Sequence, residues 1–324
     1  MQEINRNDGQ FLRILFAGTP LNAAQSLEAL ISAGIDIVGV LTRQDAEVGR
    51  KRVLTPSPVA IVAEEHGIPV VKSNNVDEFT LKQIAKLKPE LGLVVAYGSL
   101  LDQTALSALE RGWINLHYSL LPMLRGAAPV QAAIKNGMQE TGITIFQLDE
   151  GMDTGEIILQ VPTQVQPGEN TARLLRRLTD LGVSGLLEAL PLISAGFTKP
   201  IKQDASLATF APKITRDDAR ISWQANCRDV ENLVNAMNPE PMSWTTFQGQ
   251  PFRILEARSS MQSFSQIDDS RQSGVVFESS SKVLVACKSG DSLELQTVQP
   301  SGKNSMPAAD WFRGLKSKDR VVFE

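Results

Sequence analysis

Leu12-Arg13-Ile14-Leu15-Phe16-Ala17-Gly18-Thr19-Pro20 begins as an apolar run, breaks at Gly-Thr-Pro and gives way to an amphipathic pattern from Leu21 to Ser32. An apolar strand that turns directly into a helix is half of a β-α-β unit, and such units lay their strands in parallel. The succession recurs along the first two thirds of the chain. Strands are expected at Leu12 to Ala17, Ile35 to Leu41, Leu91 to Ala96, Trp113 to His117 and Ile143 to Leu148. Helices are expected at Leu21 to Ser32, Pro58 to His66, Leu101 to Glu110 and Pro129 to Asn136. This alternation predicts the α/β class, with an open, Rossmann-like, mostly parallel sheet. Ligands of such sheets collect at the carboxyl ends of the strands. The first turn is not a phosphate loop: Gly18-Thr19-Pro20-Leu21-Asn22-Ala23 lacks the GxGxxG spacing, and GxxxxGK followed by Ser or Thr is absent.

A chain of 324 residues exceeds what one hydrophobic core usually supports, so two domains are expected. A long helix is predicted from Thr171 to Ser194, and Ala195-Gly196-Phe197-Thr198-Lys199-Pro200 ends it. The pattern beyond Pro212 is different. Short alternating runs near Thr245 to Phe247, Phe252 to Ala257, Gly274 to Glu278, Val283 to Cys287 and Leu293 to Val298 have no crossover helices between them. They predict a small β-barrel of the OB type. The expected domains are therefore 11–195, a linker over 196–212, and 213–324.

Composition narrows the function. Met1 to Gln10 reads as a loose tail without the apolar segment of a signal or transit peptide, and no apolar run approaches the roughly 20 residues of a membrane span. Cys227 and Cys287, the two cysteines, are far apart and belong to no CxxC or Cys/His cluster, so separate reduced thiols are expected and no metal site. A formal net charge of −4 gives no global attraction for nucleic acid, so any such partner must be held by local basic patches.

The chemistry concentrates in Ile114-Asn115-Leu116-His117-Tyr118-Ser119-Leu120-Leu121-Pro122 and its continuation Arg125-Gly126-Ala127-Ala128-Pro129, joined downstream by Leu148-Asp149-Glu150-Gly151-Met152-Asp153-Thr154-Gly155. Asn, His and Asp suit acyl transfer to an amine without a covalent intermediate. They supply a donor for the developing oxyanion, a protonatable ring beside it and a carboxylate to manage protons. The other histidine, His66, follows a helix that ends at Gly67 and reads as structural.

At these motifs the chain resembles the methionyl-tRNA formyltransferases. The resemblance spans Phe16 to Pro20, Pro56-Ser57-Pro58-Val59, Ala63 to Val70, Val95 to Gly98, Asn115 to Pro129 and Thr141 to Gly155. In the second domain it continues through Asp218 to Trp223, Asn238-Pro239-Glu240-Pro241-Met242-Ser243-Trp244 and Gln299-Pro300-Ser301-Gly302-Lys303. The NxH, SLLP and late DxG elements recur in folate-dependent formyltransferases that act on glycinamide ribonucleotide or sugar nucleotides. The RGAAPxQ, NPxPMSW and PxGK elements point to the tRNA enzyme.

The resemblance implies 10-formyltetrahydrofolate as co-substrate, initiator methionyl-tRNA as partner, a monomer, and a cytoplasmic setting. It assigns Asn115, His117 and Asp153 to catalysis, with Asn115 and a protonated His117 on the oxyanion. It assigns Ser119, Leu120, Leu121 and Pro122 to the folate. Arg50, Lys51 and Arg52 match a basic loop that approaches the tRNA acceptor end, although Ala46 and Glu47 stand where many relatives carry arginine and proline. Lys213 and Lys303, with Lys199 and Lys202 of the linker, are candidates for the tRNA backbone. Two alternatives are formyl transfer to a sugar nucleotide or other small amine, and a catalytically inactive folate- or RNA-binding homologue.

No metal is expected. Transfer should survive EDTA once the magnesium that folds tRNA is controlled, because two histidines and two separated cysteines make a poor ligand set. Loss of activity in EDTA that zinc restores would overturn this.

Overall fold

The computed structural model describes residues 12–49, 51–260, 273–288, 291–318 and 321–324. Met1 to Gln10 and Arg50 lie outside them. In chain order the strands are β1 (Ile14–Gly18), β2 (Ile37–Thr42), β3 (Ala46–Val48), β4 (Val53–Thr55), β5 (Val70–Lys72), β6 (Leu91–Val95), β7 (Trp113–His117), β8 (Glu140–Gln147), β9 (Ile157–Gln164), β10 (Ser243–Phe247), β11 (Gln250–Ser260), β12 (Val275–Ser279), β13 (Lys282–Ala286), β14 (Ser292–Pro300), β15 (Met306–Pro307) and β16 (Val321–Val322). The α-helices are α1 (Leu21–Ser32), α2 (Pro58–Glu65), α3 (Glu78–Leu87), α4 (Gln103–Leu106), α5 (Pro129–Lys135), α6 (Thr171–Ser194), α7 (Cys227–Ala236) and α8 (Ala308–Arg313). None is long and apolar enough to cross a membrane among the described residues.

Every residue of β1 is buried, as expected of a strand covered on both faces. The first sheet has the order β5-β2-β1-β6-β7-β8-β9. Strands β5, β2, β1, β6 and β7 pair in parallel, and β8 runs antiparallel to β7. The chain leaves β1 on one side for β2 and returns on the other side at β6, which makes the carboxyl ends of β1 and β6 a switch point. Thr19 Oγ1 ties these two ends together by donating to the Tyr97 carbonyl at 2.8 Å. Gly18 is required for the approach, because a Cβ there would stand 2.8 Å from Ala23 Cβ and 2.9 Å from the Val95 carbonyl oxygen.

Strands β5 and β9 and helix α3 go beyond the predicted elements, and α4 is shorter than the predicted 101–110 helix. Strand β5 is only three residues long, and β9 opens on Ile157-Ile158-Leu159, three partly buried residues without alternation. Helix α3 is N-capped by Asp77, whose carboxylate accepts from the Thr80 amide at 2.8 Å. The predicted basic loop is a hairpin, with β3 and β4 paired through Glu47↔Leu54. A proline at position 47 would have no amide for such a ladder.

The chain forms two compact units. One contains the chain up to Arg125 with Gly142–Pro162 and Arg176–Phe210; the other contains Gly126–Thr141, Thr163–Leu175 and Ala211–Glu324. The second unit holds an antiparallel sheet in the order β10-β11-β14-β13-β12-β16, with β15 on β14. After β16 the Glu324 amide donates to the Thr246 carbonyl of β10 at 3.0 Å, so the last strand returns to the first. Its interior is aromatic: Phe323 lies 5.5 Å from Trp223, 5.0 Å from Phe252 and 5.7 Å from Trp311 between ring centroids. Helices α5 and α7 pack together in this unit.

Cys227 and Cys287 are paired as a disulfide across 60 residues of sequence, with Cα atoms 5.6 Å apart. This corrects the expectation of two separate thiols. Cysteine spacing says nothing of tertiary neighbours, whereas the fold sets the first residue of α7 against the residue that follows β13.

Candidate active site

Strand β7 ends in Asn115-Leu116-His117, and its alternation places Asn115 and His117 on the same face. Register fixes both: Asn115 lies beside Val94 of β6 and Phe146 of β8, and His117 lies beside Thr144. The imidazole is buried and sits edge-on to the Phe146 ring, with centroids 6.4 Å apart. Its Nε2 is 3.0 Å from the Leu124 carbonyl oxygen, a contact that requires the proton on Nε2. The other nitrogen, Nδ1, stands 3.7 Å from Asp153 Oδ2. The fold thus brings His117 and Asp153 together at the carboxyl end of a central strand.

Asp153 sits in the loop between β8 and β9 with a left-handed φ of 54°. Its neighbours explain how the loop is held. Asp149 Oδ1 accepts from the Thr154 hydroxyl at 2.6 Å and from the Gly151 amide at 3.1 Å. Asp149 is therefore a brace within the turn. Any side chain at position 155 would collide with the Gln147 carbonyl oxygen, which accounts for the glycine of the DTG element.

Burial pushes the His117 pKa below its ordinary value of 6.5, while the Asp153 charge and the Leu124 carbonyl pull it back up. The sequence reading has His117 protonated beside the oxyanion. Enclosure by itself disfavours the charged ring, and the neighbouring Asp153 favours it.

The turn after β7 is heavily braced. Ser119 Oγ donates to the Met123 carbonyl at 2.6 Å, Thr144 Oγ1 donates to the Ser119 carbonyl at 2.7 Å, and Gln160 donates to the Leu121 carbonyl at 2.7 Å. Ser119 and Leu121 are buried, whereas Leu120 and Pro122 are half-buried. Two clefts flank the Asp153 loop. One, of about 410 Å³, is lined by Gln147, Thr154, Glu156 and Lys202 among others; the second, of about 500 Å³, lies between Gln103, Leu106 and Ser107 and the segment Leu148 to Gly151.

Of the basic loop, Lys51 and Arg52 are exposed at the hairpin turn, and Arg52 Nε lies 3.4 Å from Glu47 Oε2. His66 bonds Glu28 through Nε2 at 3.0 Å at the end of α2. In the second unit Lys213 and Lys303 are exposed. A larger basic feature there is absent from the sequence reading. Arg216 and Arg220 lie over the Trp244 ring at 5.0 and 5.4 Å. Trp244 is paired with Arg253, and Arg253 with Gln299, across β10, β11 and β14; Gln299 Nε2 in turn donates to the Lys303 carbonyl. Strand register sets Trp244, Arg253 and Gln299 side by side, and Arg216 and Arg220 join them over the Trp244 ring. The tryptophan of NPEPMSW was the one available signal.

Residues 12–190 match the family described as formyl transferase, and residues 213–316 match the formyl transferase C-terminal domain. A methionyl-tRNA formyltransferase of Renibacterium salmoninarum is 43% identical over 314 residues, 96% of this chain and 99% of that one. The enzyme of that name from Paenarthrobacter aurescens is 44% identical over 97% of this chain and all of its own length. Among solved structures, an N-formyltransferase from Helicobacter canadensis in complex with folinic acid and dTDP-3-aminofucose superposes with a TM-score of 0.66 at 17% identity, covering 87% of this chain and 98% of its own. That likeness speaks for the fold. HypX from Aquifex aeolicus in complex with tetrahydrofolic acid superposes with a TM-score of 0.63 at 16% identity, over 97% of this chain and 51% of its own. With two domains matched and identity above 40% along nearly the whole length, the chain belongs to the methionyl-tRNA formyltransferase family.

Proposed function

We propose that the protein transfers the formyl group of 10-formyltetrahydrofolate to the amino group of initiator methionyl-tRNA. The observation that carries the reading is the pairing of buried His117 with half-buried Asp153, Nδ1 to Oδ2 at 3.7 Å, with Asn115 on the same strand end. The amine attacks the formyl carbon, and the carbonyl electron pair moves onto oxygen. Asn115 donates its side-chain amide to that oxygen. His117, neutral at rest with its proton on Nε2, takes the proton that the amine must lose at Nδ1, directly or by way of Asp153. The resulting imidazolium is stabilised by the Asp153 carboxylate and the Leu124 carbonyl, and its charge now supports the oxyanion. Collapse of the adduct breaks the bond from carbon to the folate nitrogen, which takes back the proton held by His117 and Asp153 as it leaves, so that tetrahydrofolate is released and the ring returns to its neutral form.

The donor is placed along the Ser119-Leu120-Leu121-Pro122 turn, with Ser119 and Leu121 as braces and Leu120 and Pro122 as contact surface. The adjoining clefts have the size of ligand pockets. Arg50, Lys51 and Arg52 are assigned to the acceptor end of the tRNA, and Lys213 and Lys303, with Arg216, Arg220 and Arg253, to its backbone. A cytoplasmic monomer completes the proposal. The test is product analysis with purified protein and 10-formyltetrahydrofolate. Formyl-methionyl-tRNA should form, and transfer to an amino sugar nucleotide or to free methionine in its place would sink the reading.

A pH profile follows from the enclosed ring. Only the neutral imidazole can accept a proton, and burial lowers its pKa, so the acid limb of kcat/KM is expected below pH 6.5. The sign for stability is the same. The unfolded chain takes up this proton at higher pH than the folded one, so the contribution is present above 6.5 and is lost as pH falls through the folded pKa. An acid limb above 6.5 that disappears in His117→Gln would contradict the assignment.

A further inference from the structure

The stretch that reads as a linker, 196–212, does more than connect. Ile201 exchanges both backbone hydrogen bonds with Ile157, each at 2.8 Å, which lays the following residues alongside the catalytic loops. Gln203 Nε2 then donates to two carbonyl oxygens of the Asp153 loop, that of Asp153 itself at 2.9 Å and that of Gly155 at 2.7 Å. Its Oε1 accepts from Arg125 Nε at 3.1 Å and from Arg125 Nη2 at 2.7 Å. Arg125 is only 6% exposed. Every donor and acceptor site of the amide is thereby used.

The same stretch also holds the His117 side of the site. Thr209 Oγ1 accepts from the Leu124 amide at 2.9 Å, and the Thr209 carbonyl accepts from the Arg125 amide at 2.9 Å. Leu124 is the residue whose carbonyl meets His117 Nε2. Leu124 and Asp153 both adopt left-handed backbone, with φ of 60° and 54°. Non-glycine residues persist there only where their surroundings hold them. Segment 203–209 supplies that hold at both.

We infer that Gln203 is a positioning residue for the reaction, fixing the Asp153 backbone so that its carboxylate faces His117, while Arg125 fixes Gln203. The inference rests on the reading of Asp153 and His117 given above. The amide is chemically specific. A glutamate at 203 keeps an acceptor for Arg125 but has no hydrogen to give either carbonyl, so it separates anchoring of the arginine from positioning of the loop.

Gln203→Glu and Gln203→Ala are to be compared with the parent protein in single-turnover formylation of methionyl-tRNA and by thermal melting. Misplacement of a reacting group by about 1 Å costs on the order of 10²-fold, so kcat should fall roughly 10- to 10²-fold in both variants. KM for either substrate should change by less than about 3-fold. In an Asp153→Asn background, Gln203→Glu should add little further loss, because a residue that acts through Asp153 is non-additive with it. Wild-type kcat in folded Gln203→Glu would overturn the inference, as would a full additional loss in the Asp153→Asn background. Should Gln203→Ala fail to fold, Gln203→Glu decides alone, and Gln203→Asn joins it as a partial-rescue variant. If the parent protein itself formylates no methionyl-tRNA, it is the functional reading that fails.

Discussion

Replacing His117 by alanine is expected to lower formyl transfer at saturating substrates by roughly 10² to 10⁴-fold, the usual contribution of a positioned acid or base. The group lost is the only imidazole at the site, and its Nδ1 faces Asp153. The change also leaves the Leu124 carbonyl without its donor, which costs about 1–3 kcal/mol of stability for a buried acceptor. Rates therefore belong beside a melting curve, at a temperature where both proteins are folded. Asp153→Ala should produce a loss of similar order, and the double variant should be little worse than either, since the pair acts as a unit. Near-normal turnover in His117→Ala would remove the imidazole from the mechanism.

The second large effect concerns an acidic protein holding a polyanion. Replacing Arg216, Arg220 and Arg253 together by glutamine is expected to weaken tRNA binding on the order of 10²-fold at moderate salt, at roughly 1 kcal/mol per charged contact. Each phosphate contact releases counterions, so the slope of log affinity against log salt should flatten by about 0.9 per contact removed. Folate binding should not change. Cutting the chain at the linker is a poorer test, because helix α5 of residues 129–135 packs against α7 of residues 227–236 and would lose its partner. Neutralising Arg50, Lys51 and Arg52 should instead slow transfer more than it weakens affinity, as expected of a loop that places the amine. Filter binding across a salt series separates the two groups, and an unchanged slope in the triple arginine variant would remove the arginines at Trp244 from the tRNA contact.

What the sequence makes legible here is what local pattern controls. Leu12 to Pro20 announces β1 and its turn because an apolar run followed by Gly-Thr-Pro has few other solutions, and His117 falls at a strand end that alternation predicts. Helix α7 goes beyond the predicted elements, although Val230, Leu233, Val234 and Met237 keep helical spacing. Gln203 was not legible, because its importance comes from contacts with Asp153, 50 residues away, and Arg125, 78 away. Similarly, nothing near Cys227 marks Cys287 as its neighbour, and Arg216, Arg220 and Arg253 meet at Trp244 only through the fold. The surroundings that shift the His117 pKa were not legible either, because residue type gives the ordinary value and burial is a property of the fold.

The closure of the second sheet bears on how the protein is made. Strand β10 meets the chain beyond β16, a pairing of residues 79 apart, as between Thr245 and Glu324. A ribosome delivers β10 long before it delivers Val321, Val322 and Phe323, so the aromatic interior around Trp223, Phe252 and Trp311 lacks its lid throughout that interval. Contacts of such long range form late and slowly. The portion assigned to gripping tRNA is thus completed only when β16 is in place, and a chain terminated before β16 would carry the proposed catalytic pair with no assembled means of holding the substrate.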